Sequence, residues 1–277
     1  MIIDFHTHIF PPQIQNHRES YFKDEVIFQE LYDSPKARLA TADELMASME
    51  QSHIDISIAL NINWSSPRLI CQTNDYILES VSRYPGRLQG FCSINLNSPQ
   101  DAIAEIARCA RLGIKGVGEM RISKEMLLNP GPVRPIIHKI IDSGLILLLH
   151  ASEPVGHAYS GKGDATPEAL MAFIQSFPDL KLVCAHWGGG LPFYSLMPEV
   201  RKALTHVYFD SAASPFLYSR QIYRHVVQIL GPEKILFGTD YPLLLPHRLL
   251  DEVDSLGFPE EVQNHLLSAN ARLLLGL

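Results

Sequence analysis

Eight short apolar runs recur along this 277-residue chain and constrain its fold more than any other feature. They lie at residues 2–6, 56–62, 88–95, 114–119, 145–151, 181–187, 207–212 and 235–241. Each is rich in Val, Ile, Leu and Phe rather than strictly alternating, which is the pattern of strands buried on both faces of a parallel sheet. The stretches between them have helical period and their own punctuation. Thr41-Ala42-Asp43-Glu44 is a capping box opening a helix to about Ser52, and 73–84 is stopped by Pro85-Gly86. The helix expected at 99–112 starts on Pro99 and ends at Gly113. Further helices are expected at 133–143, 166–177, 191–204, 217–230, 246–256 and 259–275. Eight strand-then-helix units within about 250 residues predict a distorted (β/α)8 TIM barrel. The competing doubly wound open sheet would gather its ligands at one switch point rather than around a ring.

Residues 10–40 interrupt this rhythm. They are charged and aromatic, with Pro11-Pro12 and Ser34-Pro35, and a βα loop of that length on a barrel is expected to form a lid over the active-site face. The chain is read as one domain, 1–277, with 10–40 as that insertion.

Barrel sites are built at the C-terminal ends of the strands. The first run delivers His6 and His8, whose two-residue spacing puts both imidazoles on one face of a strand. Two imidazoles provide half a tetrahedral shell, so the chain must return further ligands to the same point. The fourth run ends in Glu119, the fifth in His150, the sixth in His186 and the eighth in Asp240. Each is a metal-ligand or acid–base residue type. Several other histidines of the chain, such as His53, His138, His225 and His265, fall within or beside helical patterns instead.

Composition narrows the classes. A net charge of −7 without a basic stripe argues against nucleic acid, and a small-molecule substrate is expected. No apolar run reaches the roughly 18 residues of a membrane span, and the N-terminus lacks a basic start and apolar core, so a cytoplasmic location is expected. Cys71, Cys92, Cys109 and Cys184 are dispersed and read as reduced thiols. The helix faces could bury a homo-oligomer interface, although no heptad marks one.

Asp4-Phe5-His6-Thr7-His8, Leu148-Leu149-His150-Ala151, Ala185-His186-Trp187-Gly188-Gly189, Leu236-Phe237-Gly238-Thr239-Asp240-Tyr241-Pro242 and the C-terminal Ala269-Asn270-Ala271-Arg272-Leu273-Leu274 resemble the amidohydrolase superfamily. More narrowly, they are similar to its branch of aminocarboxymuconate-semialdehyde decarboxylase and related metal-dependent hydrolases. The resemblance runs from the first strand to the last helix and implies a divalent metal, often Zn, held by His6, His8, His150 and Asp240. His186 then lies beside the metal and acts in catalysis. The carboxylated lysine that bridges two metals in other members has no counterpart, because the fourth run ends Gly116-Val117-Gly118-Glu119 and Lys115 comes too early. Glu119 instead resembles the Gly-Glu ligand of TatD-type deoxyribonucleases. One ion is the expectation; two are the alternative, with Glu119 bridging them and His150 and His186 on the second. Glu119 as a substrate-binding or structural acid is the alternative.

The chemistry expected first is hydrolysis of a small polar or anionic amide, ester or lactone by a metal-activated water, with Asp240 as ligand and proton acceptor and His186 stabilising charge. Non-oxidative decarboxylation is the alternative. A TatD-like nuclease and an inactive binding barrel rank below both. Glu153, His157, Tyr159 and Lys162, in the loop after the fifth run, are candidates for holding the substrate. Arg121 and Arg38 are candidates for clamping a carboxylate.

Overall fold

A computed structural model describes residues 1–277. The eight strands are β1 (Ile3–His8), β2 (Ile56–Leu60), β3 (Leu88–Cys92), β4 (Gly116–Met120), β5 (Ile146–Leu149), β6 (Leu182–Cys184), β7 (Val207–Asp210) and β8 (Ile235–Leu236). They pair in sequence order, all parallel. The ring closes beyond the short β8: Phe5 N donates to Phe237 O at 2.8 Å, Asp240 N donates to His6 O at 2.9 Å, and Thr7 bridges Tyr241. The TIM barrel expected from the run pattern is therefore the fold.

Alternation along the strands sorts two cores. Ile3, Phe5, Ile58, Phe91, Ile146, Leu148, Val183 and Leu236 meet inside the barrel. Their neighbours Leu147, Leu149, Phe209 and Ile235 point outward, against helix residues such as Leu45, Ile77, Ile106, Phe173, Val226 and Leu249. Successive Cβ atoms point to opposite faces of a strand, so unbroken apolar runs are needed where both faces are covered.

The Thr41 capping box forms as expected: Thr41 Oγ1 accepts from Glu44 N at 3.3 Å, and the Glu44 carboxylate accepts from Thr41 N at 2.7 Å. The expected helix 191–204 is instead a 3-10 segment, Leu191–Leu196, and a helix, Pro198–Ala203. Pro198 cannot donate to the preceding turn and starts a new helix. Likewise 217–230 divides into Ser214–Leu217 and Gln221–Leu230, and a short helix at Lys124–Leu128 had no counterpart in the sequence reading.

Residues 10–40 hold the helices Pro12–Asn16 and Val26–Tyr32 with a 3-10 turn, Arg18–Tyr21, between them. Phe10, Ile14, Phe28 and Tyr32 form a third apolar core with Ile62, Trp64, Leu69 and Ile70, which follow β2. Glu25 is buried and accepts from Ser65 N at 2.7 Å and Ser66 N at 2.8 Å, anchoring the segment to the same loop. No helix is long and apolar enough to cross a membrane.

Candidate active site

His6 and His8, in the second half of β1, turn both rings to the barrel's C-terminal mouth with their Nε2 atoms 3.0 Å apart. Asp210, which ends β7, fixes the first of them. Its Oδ2 lies 2.8 Å from His6 Nδ1, while its Oδ1 accepts from the backbone N–H groups of His186 at 2.9 Å and Ala212 at 3.0 Å. With Nδ1–H donated to Asp210, His6 Nε2 is the nitrogen left facing the centre.

Asp240 follows β8 in a left-handed conformation, φ 63°, the kind of sparsely populated geometry that concentrates at functional sites. A staple beneath it ties the first strand to the last: Asp4 accepts from Thr239 N at 3.0 Å and Thr239 Oγ1 at 2.6 Å. Asp240 Oδ1 sits 3.2 Å from His8 Nε2 and 3.6 Å from His6 Nε2.

Glu119, near the end of β4, enters the same space between two pairs of imidazoles. Its Oε2 is 3.8 Å from His6 Nε2 and 3.7 Å from His8 Nε2. Its Oε1 is 2.9 Å from His150 Nδ1 and 3.1 Å from His186 Nε2. Gly118 makes this approach feasible, because a Cβ there would stand 2.6 Å from the Leu148 carbonyl oxygen and its φ is +152°. His150 also meets Ser152 Oγ at 3.2 Å through Nε2, and His186 Nδ1 donates to Ala212 O at 3.2 Å. His186 and Trp187 are both left-handed, φ 55° and 58°, which ends β6 earlier than the sequence pattern suggests and turns the His186 ring into the mouth.

Burial alone would strip these groups of charge, and their mutual contacts override it. The His6 imidazole is pushed down by burial but raised more by the Asp210 and Glu119 charges, to about 9. His186 is likewise opposed by burial and raised by its Glu119 hydrogen bond and the surrounding carboxylates, to about 10. Burial raises both carboxyls, yet His150 and His6 hold Glu119 well below its ordinary value, and His8 and His6 bring Asp240 down to about 2. His150 goes the other way, its pKa lowered by burial against the pull of Glu119.

Donors held about 2.1 Å from one tetrahedral ion stand about 3.4 Å apart. The His6, His8 and Glu119 Oε2 separations of 3.0, 3.7 and 3.8 Å bracket that value, and Asp240 Oδ1 falls in the same range. The donor set, two imidazoles and two carboxylates in a buried pocket, fits a divalent cation.

A cavity of about 450 Å³ opens above this cluster. Of the residues expected to hold a substrate, Arg38, Arg121, His157 and Tyr159 line it. Glu153 and Lys162 do not. Lys162 Nζ donates to the Val155 and His157 carbonyls at 2.9 and 3.1 Å, bracing its own loop, and Glu153 accepts from Tyr159 OH at 3.0 Å. Arg121 is paired with Glu30 of the 10–40 segment at 3.1 Å. The sequence reading also missed Tyr32, which lines the cavity and whose phenol is raised by burial and by the Asp240 and Glu119 charges. Its one signal was its place in the aromatic insertion. Asp210 was missed as well, although it lies in the seventh apolar run.

The sequence model described as amidohydrolase matches residues 3–277. Among curated proteins, the chain is 24% identical over 334 residues to 2-amino-3-carboxymuconate-6-semialdehyde decarboxylase of Dictyostelium discoideum, covering 99% of this chain and 91% of the relative. It is 22% identical over 250 residues to γ-resorcylate decarboxylase of a Polaromonas strain, covering 74% of this chain and 76% of the relative. Among solved structures, 5-carboxyvanillate decarboxylase of Novosphingobium aromaticivorans, complexed with manganese and 4-hydroxy-3-methoxy-5-nitrobenzoic acid, superposes with a TM-score of 0.77 at 17% identity. That match covers 100% of this chain and 96% of the other, and at such identity it speaks for the fold.

Proposed function

This chain belongs to the amidohydrolase family, and from that premise we propose that it is a metal-dependent, non-oxidative decarboxylase of a small unsaturated or aromatic carboxylic acid. The observation that carries the reading is the cluster of His6, His8, Asp240 and Glu119 opening on a cavity with apolar walls and cationic side chains. Leu31, Ile62, Phe216 and Leu217 give it faces for a flat ring, and Arg38 and Arg121 can meet an anion. The names of the relatives support the same class, since each describes a carboxyl group on an unsaturated or aromatic carbon. Hydrolysis, the first expectation from the sequence, gives way to decarboxylation on that ground.

His6, His8 and Asp240 would hold the cation, with Glu119 Oε2 as the next donor. A divalent cation there supplies Lewis-acid polarisation of the substrate oxygens, and manganese is as suitable for this donor set as zinc. Asp240, held ionised, serves as a ligand rather than an acid. Burial lowers the His186 imidazole, but its Glu119 hydrogen bond and the neighbouring carboxylates raise it further, and since it lines the cavity it would be the group placed to protonate the carbon that loses carbon dioxide. The balance is simple: the C–CO₂⁻ bond breaks, the proton takes its place, and solvent returns a proton to the imidazole.

The test is carbon dioxide release from a panel of hydroxybenzoates, carboxyvanillates and carboxymuconates by manganese- and zinc-loaded protein. Release from at least one is expected. Hydrolysis of a lactone, ester or amide panel with no release from any carboxylic acid would overturn the assignment. That second reading is favoured by one observation, the additional donor pair of His150 and His186 beside the first set.

A further inference from the structure

Five consecutive residues after β6, His186 to Gly190, have left-handed backbones, with φ of 55°, 58°, 58°, 57° and 93°. Glycine adopts that region freely, which accounts for 188–190, whereas in any other residue the Cβ crowds the following carbonyl oxygen. His186 and Trp187 therefore stay there only because something outside the turn holds them.

The holding contacts come from the chain that ends and follows β7. Asp210 Oδ1 accepts from His186 N at 2.9 Å, and the Ala212 carbonyl accepts from the His186 ring at 3.2 Å. A third contact acts one residue on. Trp187 is fully buried, its ring edge-on to Tyr223 with centroids 4.9 Å apart, and its Nε1–H donates to Ser214 Oγ at 2.6 Å. The Ser214 hydroxyl gives its own proton to Ser211 O at 2.7 Å, so its oxygen is left aimed at the indole. Ser211 in turn is fastened to β8 and its continuation. Its N–H donates to Leu236 O at 3.0 Å, and its Oγ donates to Gly238 O at 3.0 Å and accepts from Gly238 N at 3.1 Å. Both serines are buried.

We propose that Trp187 and Ser214 are positioning residues for the proton donor of the proposed reaction: their hydrogen bond locks residues 186 and 187 in the left-handed turn and so fixes where the His186 ring stands over the cavity. A side chain that only filled volume needs no N–H, and a buried N–H is costly unless it finds an acceptor. Here the acceptor is a hydroxyl whose direction is set by Ser211, and Ser211 is seated on the segment that carries Asp240. Proton donor and metal ligand are thus held from one frame. Without the indole bond, residues 186 and 187 relax toward right-handed backbone and the ring is displaced; a misplacement of about 1 Å can cost on the order of 100-fold in rate.

The inference rests on the role proposed for His186, and part of its test needs no turnover. Zinc-loaded protein labelled at the tryptophan indoles and histidine rings is examined by nuclear magnetic resonance in the resting state, beside kcat, KM and zinc affinity. The chain has two tryptophans, so Trp187→Phe assigns the indole signals. In the wild type the Trp187 N–H should exchange slowly with solvent. In Ser214→Ala that signal should move, and the His186 ring signals should shift or broaden while those of His6 and His8 stay in place. There kcat should fall about 10- to 100-fold with KM and zinc affinity unchanged within about threefold. Wild-type His186 signals in Ser214→Ala, or zinc affinity falling in step with kcat, would overturn the proposal. Should Ser214→Ala not fold, Trp187→Phe is read in the same way; failure of both to fold would make the pair a support of the whole barrel and equally defeat it. A wild type that releases no carbon dioxide sinks the reaction class, and the ring signals then still decide the positioning.

Discussion

Replacing Asp210 by Asn tests how the centre is held, because the change keeps the shape and exchanges one acceptor for a donor. Asp210 accepts on both sides, from His6 Nδ1 at 2.8 Å and from the N–H groups of His186 and Ala212 at 2.9 and 3.0 Å. An amide cannot do that. If its oxygen faces the two N–H groups, its NH₂ confronts His6 Nδ1, and the imidazole proton must move to Nε2, the atom aimed at His8 and Asp240. If it flips, two buried backbone donors lose their acceptor, at about 1–3 kcal/mol each. The first arrangement is the less costly for folding, so the damage falls on the metal. Removing such an outer partner weakens metal binding by roughly 10–100-fold, about 1.4–2.8 kcal/mol. The assay is competition between apoprotein and a chromophoric chelator for Mn²⁺ or Zn²⁺, with a denaturant melt of the apoprotein alongside. Wild-type affinity in Asp210→Asn, within about threefold, would refute the tautomer argument, as would a loss of affinity wholly explained by unfolding.

Four further outcomes follow from the same structure. His6, raised to about 9, holds a proton in the metal-free protein that a cation on its Nε2 must displace; metal binding at pH 7.5 should therefore release a proton, seen by calorimetry in buffers of different ionisation enthalpy, and zero release contradicts this. Because the folded-state values of His6 and His186 both lie above the unfolded 6.5, their contribution to apoprotein stability is complete below about pH 6.5 and should be lost as pH rises through about 9 to 10, which denaturant melts across pH would show. Phe28→Ala should cost about 3–5 kcal/mol, since Phe28 is fully buried against Phe10, Tyr32 and Trp64; faster hydrogen exchange confined to residues 10–40 is expected, and unchanged exchange there counts against a core shared by that segment. Gly118→Ala, with its Cβ 2.6 Å from the Leu148 carbonyl oxygen, should lose about 1–3 kcal/mol in a denaturant melt and weaken metal binding through Glu119; a change under about 0.5 kcal/mol would show that β4 and β5 have room to part.

The strand ends were legible in the sequence because a parallel barrel buries both faces of its strands, so a His, Glu or Asp closing an apolar run has little reason to be there except the mouth. That is why His6, His8, Glu119, His150, His186 and Asp240 could be picked out and do converge. What the order of residues cannot carry is which atom faces which. Asp210 ends its strand just as the others do, but its role depends on His6, 204 residues away. The division of the imidazoles across Glu119 depends on ring orientations set by Asp210 and the Ala212 carbonyl, and neither marks itself in a pattern. Lys162 looked like a charge for substrate because loops after barrel strands carry function. Its own loop curls back and takes that charge on two carbonyls. Pro198, by contrast, was readable as a helix start, and the single helix expected across it neglected the rule that proline sets.

Asp210, Glu119 and Asp240 meet four imidazoles at the mouth, with no lysine or arginine ion-paired to any of them. Such an arrangement cannot keep all three negative charges uncompensated in a buried site, because desolvating unpaired charge is expensive. Without metal, the only remedy is to keep protons on the rings, which is what the raised His6 and His186 values express. A divalent cation on His6, His8 and Asp240 would displace the His6 proton and leave that of His186 for the proposed reaction. Arg38 and Arg121, across the cavity, are then the charges that a substrate carboxylate would meet, and a neutral substrate analogue should bind more weakly to the metal-loaded protein than the acid does. Equal affinities for the two, measured at saturating Mn²⁺, would refute that role of the arginines.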